Sequence, residues 1–123
     1  MKRQIRITPG SIAVLAEFND TETADGIWEV LPLSSDVNLW GDEMYIAIPV
    51  QIEMEKGQEV VEMGDLGYWL LGNAFCIFFG ATPVSGQGDI RAASAVSILD
   101  KVTGNPEVFN EIQPGEKIIV TRT

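Results

Sequence analysis

Few residues in this chain are of types that do chemistry, and histidine is missing entirely. Without histidine the chain has no Ser-His-Asp or Cys-His nucleophile, no histidine-ligated haem and no histidine-containing metal cage. The single cysteine, Cys76, lies in a strongly apolar run and can form neither an internal disulfide nor a thiolate cluster. We therefore expect an inert thiol, no bound metal and no cofactor, in a chain that suits a reducing compartment.

Carboxylates are the remaining candidates for acid–base work. Asp42 and Glu43 are adjacent, so on a strand they point to opposite faces and cannot act as a pair. Glu53 and Glu55 share a face, which we expect to be solvated. The acidic residues lack the spacing of a calcium loop, and the GQGDIR segment at 86–91 lacks the third glycine of a dinucleotide loop. No catalytic constellation follows from these spacings.

The charge distribution is strongly asymmetric. Eight basic and eighteen acidic residues give a net charge of -10, and between positions 17 and 65 Lys56 is the one base. Such a chain repels phosphate backbones and anionic membrane surfaces, so neither nucleic acid nor a membrane is an expected partner. We interpret the acidic segment as a solvated face, and the alternative is a surface that binds a basic protein.

The length of 123 residues, with 46% apolar residues, suits one compact domain over residues 1–123. The basic start at 1–6 runs into a Pro-Gly turn rather than an apolar stretch, so no secretory signal is predicted and a cytoplasmic location is expected. Residues 66–88 carry no charge, but five glycines, Asn73 and Pro83 interrupt them. Their two short apolar runs predict a hairpin of buried strands rather than a membrane span.

Alternation of apolar and polar residues predicts a chain made mostly of short strands. The predicted strands lie at 4–8, 12–18, 42–48, 50–54, 59–63, two within 66–79, 94–102 and 117–122.

Two short helices interrupt the strands. The first is predicted at 24–31, with Trp28 on its buried stripe and Asn19 or Asp20 as its cap. The second is predicted at 106–112, capped by Asn105 and beginning with Pro106. This pattern favours a mainly β protein, a closed antiparallel barrel of about eight strands with two short helices at its ends.

Three segments together resemble one known family. The first is TADGIWEVLP at 23–32 followed by WGDEMY at 40–45. The second is GDLGYW at 64–69 followed by GNAFCIFFGATP at 72–83. The third begins with SAVSILDKVTG at 94–104 and continues through Val108. In order and spacing they resemble the cyclophilin-like fold family, specifically its small bacterial and archaeal branch of uncharacterised proteins. The resemblance implies an eight-stranded barrel with two helices.

Proteins of the cyclophilin type isomerise X-Pro bonds, but this chain lacks the residues that the resemblance would require for that activity. The resemblance places the family's catalytic arginine at Ile46 or Ala47, whose side chains donate no hydrogen bond, and the family's histidine near Val96. Ordinary prolyl isomerase activity is therefore not expected. A diverged isomerase that uses Arg91, or another enzyme on the same barrel, is the alternative.

The resemblance further implies a peptide groove beside the strand that carries Glu43 and Tyr45. Trp40, Trp69, Cys76 and Phe78 would approach the same groove and form an aromatic wall with one carboxylate. The alternative is that Trp69, Cys76 and Phe78 are core residues. We predict a binding protein for a small molecule or a peptide segment, with an acidic-face interaction module as the rival.

Overall fold

The computed structural model describes residues 3–53 and 56–123. Its elements are β1 (Arg3–Pro9), β2 (Val14–Phe18), α1 (Glu22–Glu29), β3 (Leu33–Asp36), β4 (Asn38–Trp40), β5 (Glu43–Ala47), β6 (Gly57–Val61), β7 (Asp65–Trp69), β8 (Ala74–Phe78), β9 (Ile90–Lys101), a 3-10 helix (Pro106–Glu111) and β10 (Lys117–Arg122). Strands make up 49% of the described residues, against helices of 8 and 6 residues. The mainly β class with two short helices is confirmed.

The strands form two open antiparallel sheets, so the expected closed barrel is wrong. One sheet has the order β2-β1-β10-β3 and the other the order β4-β5-β8-β7-β9-β6. An isolated bridge between Ala16 and Val102 links the sheets at one corner. Alternation predicts which side chains face inward, whereas closure depends on whether the outermost strands pair, and alternation does not encode that pairing.

The main core draws on both sheets and both helices. Its largest fully buried side chains include Tyr68, Phe18, Phe75, Phe109, Ile5, Ile7, Ile27, Met44 and Ile46. A second, smaller cluster lies on the other face of the six-stranded sheet and contains Val61, Ala74, Cys76, Phe78, Ala92 and Val96. The six-stranded sheet is therefore buried on both faces along its central strands.

The uncharged segment forms the predicted hairpin. β7 pairs with β8, with Leu66 opposite Ile77, and Asn73 adopts a positive φ of 48° in the turn between them. Neither helix in the described part of the chain has the length and apolar character that crossing a bilayer requires.

Sequence prediction located most strands but missed two. β10 lies where it was predicted, whereas β3 and β4 were not predicted at all. Ser34 and Ser35 have weak strand propensity, and β3 forms because these residues pair with Ile119 and Ile118 of β10.

The strand predicted at 50–54 is wrong for residues 50–53, and Met54 lies outside the described residues. The backbone N–H of Ile52 donates instead to the hydroxyl of Tyr68 at 3.0 Å. The Ile52 side chain packs against α1, where a Cβ on Gly26 would lie 2.7 Å from its Cδ1. Glycine at position 26 weakens the helix by about 1 kcal/mol, and a larger residue there would have to displace the end of the Ile52 side chain.

The first helix begins at Glu22, and its cap is Thr21 rather than Asn19 or Asp20. The Thr21 hydroxyl accepts from the N–H of Ala24 at 3.2 Å. Asn19 holds the cap in place, since its Oδ1 accepts from the Thr21 hydroxyl at 2.6 Å and its Nδ2 donates to the Ile98 carbonyl at 2.9 Å. The second helix has the predicted cap, Asn105, and the predicted first residue, Pro106, but it is a 3-10 helix.

Trp28 joins α1 to the four-stranded sheet. Its indole packs edge-on against Phe18, with ring centroids 6.5 Å apart. The guanidinium groups of Arg3 and Arg122 lie 5.4 and 4.8 Å from the ring centroid. Trp28 is half-buried rather than fully buried, because these two arginines cover it instead of the core.

We expect Trp28→Ala to lower the free energy of unfolding by about 2–4 kcal/mol, because it removes one aromatic contact and two cation–π contacts. Urea denaturation measures this change. The matched control is Leu71→Ala, whose side chain is 80% exposed; we expect it to stay within about 0.5 kcal/mol of the wild type. A Trp28→Ala effect as small as that of the control would show that Trp28 does not anchor α1.

Candidate functional site

A cleft of about 280 Å³ opens on the face of the six-stranded sheet that points away from the main core. Its lining residues are Trp40, Glu43, Tyr45, Trp69, Ala92, Ala93, Ser94 and Val96. We call it the Glu43 cleft. Four of the six residues predicted for the groove, Trp40, Glu43, Tyr45 and Trp69, are brought together here.

Strand alternation places the key side chains of this cleft. On β5, Met44 and Ile46 point into the main core, so Glu43 and Tyr45 point to the opposite face. Trp40 pairs directly with Glu43 across β4 and β5. Asp42, the neighbouring carboxylate, packs instead against Gly80, as expected for a residue on the other side of the chain.

Cys76 and Phe78 lie beneath the cleft and do not line it. Both are fully buried in the smaller apolar cluster, directly opposite Tyr45 and Glu43 in the β5–β8 register. The floor is close-packed at Gly67, where a Cβ would lie 3.2 Å from Val96 and 3.4 Å from the ring of Phe78. A larger residue at position 67 would push the floor into the cleft.

The Glu43 carboxyl is the main electrostatic feature of the cleft, with only 6% of the residue exposed. Burial raises the pKa of Glu43 from its usual 4.5 to about 7, and a hydrogen bond with the Cys76 thiol opposes that rise only in part. Burial also raises the pKa of Cys76, and the neighbouring Glu43 carboxylate raises it further. Among the described residues no cation pairs with Glu43, so near neutral pH its carboxyl is poised between the protonated and ionised forms.

A hydrogen bond positions the Trp69 indole at the side of the cleft. The indole Nε1 donates to the hydroxyl oxygen of Ser94 at 2.6 Å, which ties the end of β7 to β9 across the cleft. Because the Ser94 oxygen accepts this bond, its own hydroxyl hydrogen remains available for a ligand.

The β9 contribution to the cleft was missed by sequence reasoning. Ala92, Ala93, Ser94 and Val96 line one side, and only Val96 had been placed near a groove, through the family's histidine position. The signal that could have found them is the run of small residues Ala92-Ala93-Ser94, since a strand with small side chains leaves room for a ligand beside it.

The positions relevant to isomerase chemistry hold no donor in the cleft. Ile46 is buried in the main core and Ala47 is exposed. Arg91 does not line the cleft, and its guanidinium lies 3.3 Å from Asp89 and 3.7 Å from Glu59.

Other candidate sites from the sequence lie elsewhere. The loop at 86–91 turns through a 2.6 Å bond from the Gly86 N–H to Asp89 and leads into β9 rather than into a helix. Glu53 and Glu59 are exposed, while Glu55 lies outside the described residues.

Residues 3–121 match the family model described as Cyclophilin-like. The solution structure of the hypothetical protein AF2241 from Archaeoglobus fulgidus superposes with a TM-score of 0.84 at 35% sequence identity, covering 99% of this chain and 95% of that chain. No curated protein matches the chain.

We expect Glu43→Gln to be more stable than the wild type above neutral pH. Since the pKa of Glu43 rises from 4.5 unfolded to about 7 folded, the folded state binds the proton more tightly, and stability falls as pH rises through that range. Over the whole range the wild type loses about 3 kcal/mol of its free energy of unfolding, whereas Glu43→Gln has no titrating group at this position and does not show this loss.

Urea denaturation of both proteins across this pH range measures the difference. Glu111→Gln, which removes an exposed carboxylate far from the cleft, serves as the control. A stability difference between Glu43→Gln and the wild type that does not change with pH would contradict the burial of an ionisable Glu43.

Proposed function

Since the chain belongs to the cyclophilin-like family, we propose that it is a binding protein whose Glu43 cleft takes a ligand with an apolar body and a cationic or hydrogen-bond-donating end. One observation carries the proposal: a nearly buried carboxyl that has no cation partner among the described residues faces an aromatic cleft. A buried charge is normally paired within the fold, so a missing partner favours one that arrives with a ligand.

The walls of the cleft suit such a ligand. Trp40, Tyr45 and Trp69 offer large apolar contact area and electron-rich faces that attract a cation. Glu43 supplies a carboxylate at one point of this apolar lining, and the Ser94 hydroxyl supplies a second polar contact. A few polar groups in an apolar cleft fix the orientation of a bound molecule.

The cationic end can belong to a small amine or to a side chain of a peptide segment. The pairing of β9 with β7 covers Ser97 to Lys101 and does not reach residues 92–94. The β9 backbone beside the cleft is thus without a β7 partner, which favours an extended peptide, while the modest volume favours a small amine. The same recognition chemistry serves both ligands, and binding experiments separate them.

Catalysis of prolyl isomerisation is not part of the proposal. Stabilising a twisted X-Pro amide requires a donor aimed at the prolyl nitrogen, and Ile46, Ala47 and Val96 supply none. Arg91, the alternative donor, is paired with carboxylates outside the cleft.

We expect phenethylamine to bind the wild-type protein at least about tenfold more tightly at about pH 8.5 than at about pH 5, because the amine stays charged while Glu43 ionises between these values. Glu43→Gln should lower the affinity for phenethylamine by about 10–100-fold at the higher pH, because a charge-assisted hydrogen bond is lost. The affinity for benzyl alcohol, which carries no charge, should change little with pH or with the Glu43→Gln substitution. Protein NMR gives the affinities and the residues that respond.

The second arm of this experiment uses a blocked Gly-Lys-Gly peptide. Tighter binding than phenethylamine, with shifts extending along residues 92–94, would identify a peptide site. Shifts confined to Glu53 and Glu59 that vanish with added salt would contradict the cleft and favour the acidic face, because exposed charges are screened over about 10 Å at 0.1 M salt.

We expect no acceleration of cis/trans exchange in a short Ala-Pro peptide, whose uncatalysed exchange takes roughly tens to hundreds of seconds. Exchange spectroscopy measures the rate with and without the protein. Turnover that disappears in Arg91→Ala would overturn this expectation and identify a diverged isomerase.

A further inference from the structure

A second cleft, of about 420 Å³, lies between the start of α1 and the β6–β9 edge of the six-stranded sheet. Its lining residues are Asn19, Asp20, Thr21, Thr23, Lys56, Gln58, Ser97 and Ile98. We call it the Ser97 cleft. Consecutive residues of β9 face the two clefts, since Val96 lines the Glu43 cleft and Ser97 lines this one.

The Ser97 hydroxyl is an unpartnered buried polar group. Ser97 is 3% exposed, and its Oγ has no hydrogen-bond partner within residues 3–53 and 56–123. Buried hydroxyls without partners are rare, because each loses its hydrogen bonds to water with nothing in return. On β6 the residue opposite Ser97 is Gly57, which brings no side chain to satisfy it.

Two opposite charges face the same cleft without neutralising each other. Lys56 lies on the sheet side and Asp20 precedes the helix, and neither forms an ion pair with another residue that the structure describes. Arg3, Lys101 and Lys117, by contrast, each contact a carboxylate at 2.6–3.1 Å.

The remaining polar groups of the cleft are mostly used. Asn19 and Thr21 are committed to the helix cap, and the Gln58 amide nitrogen donates to the Val60 carbonyl at 2.9 Å. The groups left for a ligand therefore include a cation, an anion, the Gln58 amide oxygen and the Ser97 hydroxyl, which can both donate and accept.

We propose that the Ser97 cleft binds a small zwitterion of the free α-amino-acid class, with its carboxylate at Lys56 and the Ser97 hydroxyl and its ammonium group facing Asp20. A simple anion would leave Asp20 as a repulsive neighbour, and a simple cation would meet Lys56 in the same way. A dipolar molecule satisfies both charges and supplies the partner that Ser97 lacks.

Three related probes test the charge pattern: L-alanine, propionate, which lacks the ammonium group of alanine, and ethylamine, which lacks its carboxylate. Alanine should cause saturable amide shifts at Gln58, Ser97 and Ile98 and leave the Glu43 cleft unchanged. Propionate and ethylamine should each bind several-fold more weakly, because each lacks one of the two charges. Asp20→Asn should bring alanine and propionate to similar affinities, and Lys56→Gln should do the same for alanine and ethylamine.

Ser97→Ala separates a ligand-binding role from a structural one. The substitution should lower the affinity for alanine by about 5–10-fold. It should also raise the melting temperature of the free protein, because it removes an unsatisfied buried hydroxyl. Ser35→Ala and Lys117→Gln, both on the four-stranded sheet, are the matched controls and should change neither alanine binding nor its selectivity.

Three results would overturn the proposal: propionate or ethylamine binding as tightly as alanine, alanine binding unaffected by Ser97→Ala, or no saturable shift at the Ser97 cleft. Binding of phenethylamine at the Glu43 cleft is measured from the amide shifts in the same type of spectrum. Failure at one cleft is therefore distinguishable from failure at the other.

Discussion

Desolvation of a single carboxyl group, that of Glu43, is the constraint on which the functional interpretation depends. The group is almost fully buried, yet the hydrogen bond that offsets its burial comes from the Cys76 thiol, which is a weak donor. An apolar side chain opposite Phe78 would avoid the cost of desolvation altogether. The fold therefore carries a carboxyl whose charged form is penalised, beside a cleft with aromatic walls. Residues kept at such a cost are characteristic of functional sites, where burial shifts a pKa towards the working pH.

The two-sheet architecture makes this placement possible. Because the central strands of the six-stranded sheet are buried on both faces, the main core holds the fold while the smaller cluster around Cys76 and Phe78 supports a cleft on the other side. β9 has 12 residues against 5 in each of its partners, β7 and β6, and its two faces contribute to two different clefts. Two recessed surfaces therefore lie against the same strand of this sheet.

Much of this was predictable where local pattern decides the outcome. Alternation along 43–48 correctly separates Glu43 and Tyr45 from Met44 and Ile46, and the breaks within 66–79 correctly predict the β7–β8 hairpin. Prediction failed where distant residues decide. β3 forms through pairing with β10, residues 50–53 are held by Tyr68 and α1, and the cap moves to Thr21 because Asn19 is bonded to Ile98. In the sequence Ser97 looks like an ordinary strand serine, and only the three-dimensional contacts reveal that its hydroxyl has no partner in the described part of the chain.

The most direct measurement of the central claim is a carbon-13 NMR titration of the Glu43 side-chain carboxyl, first in the free protein and then with saturating phenethylamine. A midpoint of about 7 is expected for the free protein. The midpoint should fall by at least about one pH unit when the amine is bound, because the cation favours the ionised form. A midpoint at the usual 4.5 in the free protein, unchanged by the amine, would show that Glu43 is solvated and that the cleft is not the binding site.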